Sequence, residues 1–206
     1  MTYPVTVVVE PQLSQRNRLT VALRLILAIP HAILVGPIFI GVRSEGMGMK
    51  TGGAGLLSAA AYVMAIVSWF TILINGEHIK TIREFTLYYL RWRTRAIAYM
   101  ALFVDPYPPF GDGPYPTSIE VVDPPLPRDR ASVAVRLLLV IPHIVILFFL
   151  LIGWLVTSVI AWFMILFTDA YPPSLYQFGA GVMRWALRVE AYMLLLVDEY
   201  PPFALE

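Results

Sequence analysis

Arg18–His31 reads RLTVALRLILAIPH and Arg130–His143 reads RASVAVRLLLVIPH, with nine of 14 positions identical at an offset of 112. A second block, Arg91–Phe110 (RWRTRAIAYMALFVDPYPPF), returns at Arg184–Phe203 (RWALRVEAYMLLLVDEYPPF), 13 of 20 identical at an offset of 93. The offsets differ by 19, so the first copy carries one insertion of that length between Val35 and Ala65. One structural unit is used twice: a first repeat over 1–110 with an extra loop at 41–55, and a second over 111–206.

The composition points to a membrane. Apolar residues make up 58% of the chain and charged residues 14%, against roughly 25% charged for a soluble domain. Leu137–Thr168 runs 32 residues without a charge, a length that fits two bilayer spans better than a soluble core helix. There is no cysteine, which excludes disulfides, thiolate chemistry and cysteine metal sites. A formal net charge of +1 implies no nucleic-acid partner. Met1–Ser14 is strand-like and carries Glu10 before the first apolar run, so no cleaved signal peptide is expected.

Each unit has the same order. A Tyr-Pro pair (Tyr3-Pro4, Tyr115-Pro116) precedes a β-prone segment, Val5–Glu10 or Thr117–Val122. Two apolar spans follow, Leu19–Val42 with Gly55–Ile74, and Ala131–Leu151 with Trp154–Thr168. A tight turn is expected near Gly153, and a mobile glycine-rich loop at 41–55. A third helix, about Ile79–Val104 or Ser174–Val197, ends at Asp-x-Tyr-Pro-Pro-Phe, where proline stops it. The third helices pair an apolar stripe with arginines. Three guanidinium groups at mid-bilayer would cost on the order of 8–10 kcal/mol, so these helices are expected in the interface. The expected fold is all-α and integral to the membrane. Each pseudo-symmetric repeat is a two-helix transmembrane hairpin plus an interfacial amphipathic helix, with short cytoplasmic strands that can pair across the pseudo-axis. With two spans per unit, 13 of the 15 Lys and Arg fall on one side, which puts both termini in the cytoplasm.

The set Tyr-Pro-strand, Arg-x5-Ile-Pro-His, Trp-Phe, Arg-Trp-x2-Arg-x3-Tyr and Asp-x-Tyr-Pro-Pro-Phe resembles the prokaryotic membrane family known as domain of unknown function 4389, in two tandem copies over nearly the whole chain. The motifs are specific as a set and weak singly. The resemblance implies a small prokaryotic integral membrane protein and supplies no catalytic residue; with the four transmembrane helices read above, the expected location is the prokaryotic cytoplasmic (inner) membrane.

The polar residues within the apolar spans are the candidates for chemistry. Arg24 and His31, like Arg136 and His143, are seven apart, so each pair shares a helix face about 10 Å apart along the axis. Each histidine follows a proline. It can satisfy a carbonyl that the proline frees, or bridge two helices. As alternatives to that structural role, Arg24, His31, Arg136 and His143 could form a polar ligand site, for a quinone head or lipid phosphate, or relay protons. A bis-histidine haem through His31 and His143 is the most specific alternative; otherwise no cofactor and no metal is expected. Arg91, Arg95, Arg184 and Arg188 read as lipid-headgroup contacts. His78 is expected to be solvated. No Ser-His-Asp set, phosphate loop or metalloprotease motif occurs, so no enzyme is expected. The leading expectation is a non-catalytic, lipid-binding accessory or scaffold subunit that contacts lipids and other membrane subunits or a second copy. The alternative is a small transporter with a polar path at Arg24, His31, Arg136 and His143.

Overall fold

The computed structural model describes residues 3–37 and 55–206; the glycine-rich stretch expected to be mobile, apart from Gly55, lies outside them. In chain order the elements are β1 (Val5–Val9), α1 (Arg18–Ala22), α2 (Arg24–Leu27), α3 (Ile29–Val35), α4 (Leu56–Asn75), α5 (Lys80–Met100), β2 (Thr117–Val121), α6 (Arg130–Leu139), α7 (Ile141–Thr168) and α8 (Pro173–Met193). Side-chain caps start the corresponding helices of both repeats: Asn17 accepts from the Thr20 N–H, and Asp129 from those of Ala131 and Ser132. Pro30 and Pro142 sit at the first turns of α3 and α7, where a missing N–H costs nothing, and the preceding helices stop just before them.

Two helices among the described residues, α4 and α7, are long and apolar enough to cross a bilayer, and this corrects the expectation of four spans. Leu19–Val35 is broken into α1, α2 and α3, with interruptions at Leu23 and Ala28. The second repeat has no turn near Gly153. Its 28-residue helix α7 passes straight through that position, where a Cβ would meet the Phe178 ring at 3.4 Å. A lone glycine costs about 1 kcal/mol in a helix, too little to break one embedded in strong apolar sequence. One candidate span per repeat does not force both termini and the linker onto the same side.

The repeats differ by a splice. The 7 residues of α3, Gly36 and the 20 of α4 together match the 28 of α7. The junction is held shut. A Cβ on Gly55 would run into the Gly36 nitrogen and the Leu34 carbonyl, Gly36 has φ +84°, and the Ser58 hydroxyl donates to the Val35 carbonyl at 2.9 Å. The insertion therefore leaves and re-enters what is, in the sister copy, an unbroken helix.

The third helices, α5 and α8, form the interior of the molecule. Residues Tyr89–Tyr99, other than Arg91, are buried on α5, and α8 is buried over most of Gly179–Tyr192. The cost that argued against burial assumed lipid around the arginines, whereas here Glu190 pairs with Arg93, Asp112 with Arg95, and Arg91 stays exposed.

The repeats also exchange parts. β1 and β2 pair antiparallel with Val7 opposite Ile119, which are each other's repeat counterparts, so the pseudo-twofold axis runs through that pair. Val5, Val7, Val9 and Ile119 face the core while Thr6, Val8, Ser118 and Glu120 face out, the period-2 alternation of a strand with one buried face. β1 packs on α8 of the other repeat, and β2 on α5. The Trp69 indole N–H donates to the Val133 carbonyl at 2.9 Å and that of Trp162 to Val21 at 3.0 Å, each crossing between repeats. The Tyr3 hydroxyl likewise reaches the Glu199 carbonyl, and that of Tyr115 the Pro106 carbonyl.

Candidate functional site

Arg24 and Arg136 close the C-terminal ends of the interior helices. α5 and α8 each end on a left-handed leucine, Leu102 (φ 66°) and Leu195 (φ 62°), whose burial holds a conformation that side chains resist. Past that turn the last carbonyls need donors. Arg24 Nη1 donates to the Val104 carbonyl at 2.8 Å and Nη2 to Asp105 at 2.8 Å, with the guanidinium carbon 4.0 Å above the Tyr99 ring. Arg136 repeats this at the Tyr192 and Val197 carbonyls (2.6 and 2.9 Å) and Asp198 (3.0 Å), 4.2 Å above the Tyr192 ring. A second arginine completes each clamp: Arg16 on Asp105 at 2.7 Å and Arg128 on Asp198 at 2.5 Å.

Burial works to raise both carboxyl pKa values, yet both lie below the ordinary range. Hydrogen bonds from Arg16 and the Asn17 N–H, with the charges of Arg16 and Arg24, outweigh burial at Asp105; Arg128 and Arg136 do so at Asp198. The sequence marked these aspartates only as helix ends. Their recurrence in both copies, each with two recurring arginines, was the available signal.

His31 and His143 are fully buried in separate aromatic cages, each built by its own repeat. The Trp92 indole N–H donates to His31 Nδ1 at 3.0 Å, bridging α5 and α3, and Phe110 stacks on the imidazole at 4.7 Å. Trp185 does the same for His143 Nδ1 at 3.0 Å, bridging α8 and α7, with Phe203 stacked at 4.0 Å. An indole N–H can only donate, so Nδ1 is an acceptor and the neutral ring carries its proton on Nε2. A metal-bound imidazole instead donates its second N–H outward. As placed, neither histidine suits haem ligation, and among the described residues no group of three or more His, Asp or Glu could hold a metal ion.

The four arginines expected to meet headgroups separate. Arg91 is exposed, and Arg184 and Arg188 are half-buried. Arg95 turns inward and donates to the Gly111 carbonyl at 2.5 Å and to Asp112 at 3.2 Å. His78 is half-buried rather than fully solvated, with Nδ1 3.1 Å from the Ile79 carbonyl.

The polar groups the two copies do not share meet at the centre. Arg93 Nε donates to Glu190 Oε2 at 2.8 Å, joining α5 to α8, and only 3% and 6% of these side chains is exposed. Arg93 Nη1 donates to the Val35 carbonyl at 2.6 Å. Tyr89 donates to Glu190 Oε1 at 2.9 Å, and its hydroxyl also lies 2.6 Å from that of Ser58. The repeat counterparts are Ala186 for Arg93, Ile97 for Glu190, Val182 for Tyr89 and Leu151 for Ser58, none of them polar. The sequence showed Arg93 as an extra arginine but did not show its partner. Setting the buried segments Tyr89–Tyr99 and Val182–Tyr192 side by side leaves Arg93 and Glu190 as unmatched charges at aligned positions four apart, a signature of a pair across the pseudo-axis. A cavity of about 310 Å³ borders this cluster, lined by Tyr62, Arg93 and Glu190 at its polar end and by apolar residues of α7 and α8 elsewhere.

These features define a class: a duplicated, mostly helical protein with exchanged strands, two outer apolar helices and an asymmetric ion pair at its centre. The family model described as Domain of unknown function (DUF4389) matches residues 54–111 and 130–204, and the chain belongs to that family. Neither the curated proteins nor the solved structures contain a match.

Proposed function

We propose that the protein is a non-catalytic integral membrane protein that binds lipid and serves as an accessory or scaffold subunit. The observation that carries this reading is the outer surface of α4 and α7. Only 28% and 17% of their most apolar stretches is buried within the protein. Val63, Ile66 and Phe70 on α4, and Phe148, Phe149 and Phe167 on α7, stand exposed. Soluble monomers rarely expose continuous apolar patches beyond a few hundred Å², whereas such faces suit acyl chains or another membrane subunit. At 1.5 Å per residue α4 is about 30 Å long, the thickness of a hydrocarbon core, and α7 about 42 Å, which a tilt accommodates.

A transport path through Arg24, His31, Arg136 and His143 has less support. The guanidinium groups are taken up by carboxylates and helix-end carbonyls, and the imidazoles by tryptophans. Flotation of the purified protein with liposomes tests the membrane reading, with Phe149→Arg beside it. An arginine on a lipid-facing helix costs roughly 2.5–3.5 kcal/mol, so the variant should partition poorly. A wild-type protein that stays monodisperse without detergent and does not float rules the reading out. Gentle solubilisation from native membranes tests the scaffold role, since a lipid-only monomer or homodimer with no stoichiometric partner contradicts it.

A further inference from the structure

We infer that the central cavity binds one hydrocarbon chain bearing an uncharged carbonyl oxygen, held by Arg93 and Tyr62. The inference rests on the membrane reading above. The cavity straddles the pseudo-axis, because the counterpart pairs Arg93 with Ala186 and Ile97 with Glu190 all line it. Symmetry is broken where a ligand would need it broken. One copy supplies Arg93 and the hydroxyl of Tyr62; the other supplies Ala186, whose short side chain leaves space opposite Arg93, and Leu155 stands at the position matching Tyr62.

The chemistry of the polar end selects the head. Both Glu190 oxygens are engaged, one by Tyr89 and one by Arg93 Nε, and Arg93 Nη1 is taken by Val35. Among the described residues the hydrogen bonds of Arg93 run through Nε and Nη1, which leaves Nη2 and the Tyr62 hydroxyl for a ligand. Arg93 and Tyr62, which both line the cavity, thus keep donor capacity that an acceptor oxygen can use. The arginine and glutamate cancel in charge. A carboxylate or phosphate head would bring an unpaired negative charge beside Glu190 in a low-dielectric interior, a large penalty, whereas a carbonyl brings none.

The rest of the lining selects the chain. Ile144, Leu147 and Leu151 of α7 and Leu187 of α8 form apolar walls, and the volume of about 310 Å³ lies at the small end of ligand pockets, roughly 300–1,000 Å³. Ile144 and Phe148, at the rim, also belong to the exposed apolar face of α7. A chain can thus enter sideways from lipid without crossing water. A fatty-acyl ester and a chain-substituted benzoquinone share this chemistry.

Trp154 lines the cavity and supplies the readout, since bromine or a quinone within contact range quenches indole fluorescence. Detergent-solubilised full-length protein is titrated with a brominated fatty-acyl methyl ester, the matching brominated fatty acid at neutral pH, a bromoalkane of equal length, and a decyl-substituted benzoquinone. Saturable quenching at one equivalent by the ester or the quinone is expected, and the tighter of the two identifies the source. Trp154→Phe should remove most of the quenching amplitude. Ala186→Phe fills the cavity and should weaken binding at least tenfold, while Tyr62→Phe keeps the shape and should weaken the carbonyl ligands about fivefold without affecting the bromoalkane. Circular dichroism confirms that each variant folds. The inference is overturned if Ala186→Phe and Tyr62→Phe bind like wild type, or if the fatty acid or the bromoalkane binds as tightly as the ester. Protein that floats with liposomes but shows no saturable quenching overturns this inference alone; protein that does not float overturns the membrane reading itself.

Discussion

Glu190 and Arg93 set the cost of error at the residue scale. Each is almost wholly buried, so removing one leaves the other charged in a low-dielectric interior. Glu190→Gln is expected to destabilise by about 3–5 kcal/mol, and Arg93→Met by a similar amount. The double variant should recover much of the loss, because a neutral pair of similar volume leaves no unpaired buried charge. A double-mutant cycle from thermal unfolding in detergent measures the coupling, and additive single losses would show that the two side chains do not meet. The aspartate clamps answer to pH instead. Asp105 and Asp198 have carboxyl pKa values below the ordinary one, so each adds stability that is fully present above the unfolded value of about 3.9 and is lost as pH falls through the lower folded value. The melting temperature should hold steady from neutral pH down to about 4 and then fall. In the Asp105→Asn, Asp198→Asn double variant the starting stability should be lower and the acid drop much smaller; an unchanged drop would place the acid-sensitive groups elsewhere.

At the scale of elements, the splice between α3 and α4 makes a direct prediction. Deleting Pro37–Gly55 leaves Gly36 as the single residue between Val35 and Leu56, matching Phe148 between Leu147 and Phe149 in the second repeat. With Gly36→Ala added to remove the glycine cost of about 1 kcal/mol, the shortened chain should fold with α3 and α4 as one helix. Circular dichroism should show more helix per residue and an equal or higher melting temperature; a chain that no longer folds would mean that the two copies are not equivalent at this point. Features fixed by near neighbours could be read in advance. The strand-like pattern of Val5–Val9 is local and the duplication located the insertion within a window, whereas α5 and α8 end at Met100 and Met193, ahead of the prolines expected to stop them. Span number and helix placement were not legible for a physical reason. An apolar face looks the same in sequence whether lipid or protein covers it. The arginines of α5 looked too costly to bury because their partners are remote: Glu190 lies 97 positions from Arg93, and the Gly111 carbonyl has no side-chain signature at all. The histidines were visible at once, but the tryptophans that hold them sit 61 and 42 positions away.

For the whole molecule the exchange of parts matters most. β1 needs β2 for its backbone partners and α8 for its buried face, while β2 rests on α5. Trp69 and Trp162 each reach a carbonyl in the opposite repeat, and the central ion pair has one member in each. A lone repeat would therefore expose a strand edge, a buried-type charge and the inner faces of its helices together. Residues 1–112 and 113–206 expressed separately should fail to fold. Expressed together as two chains they should assemble, because every cross-repeat contact is non-covalent and the linker does no more than raise the local concentration of one half around the other. Affinity purification through a tag on one half should then recover the other at equal stoichiometry, and Glu190→Gln in the second half should reduce that recovery. If either half alone is monomeric, stable and helical, the exchanged contacts decorate two independent units, and the central cavity is a seam between them.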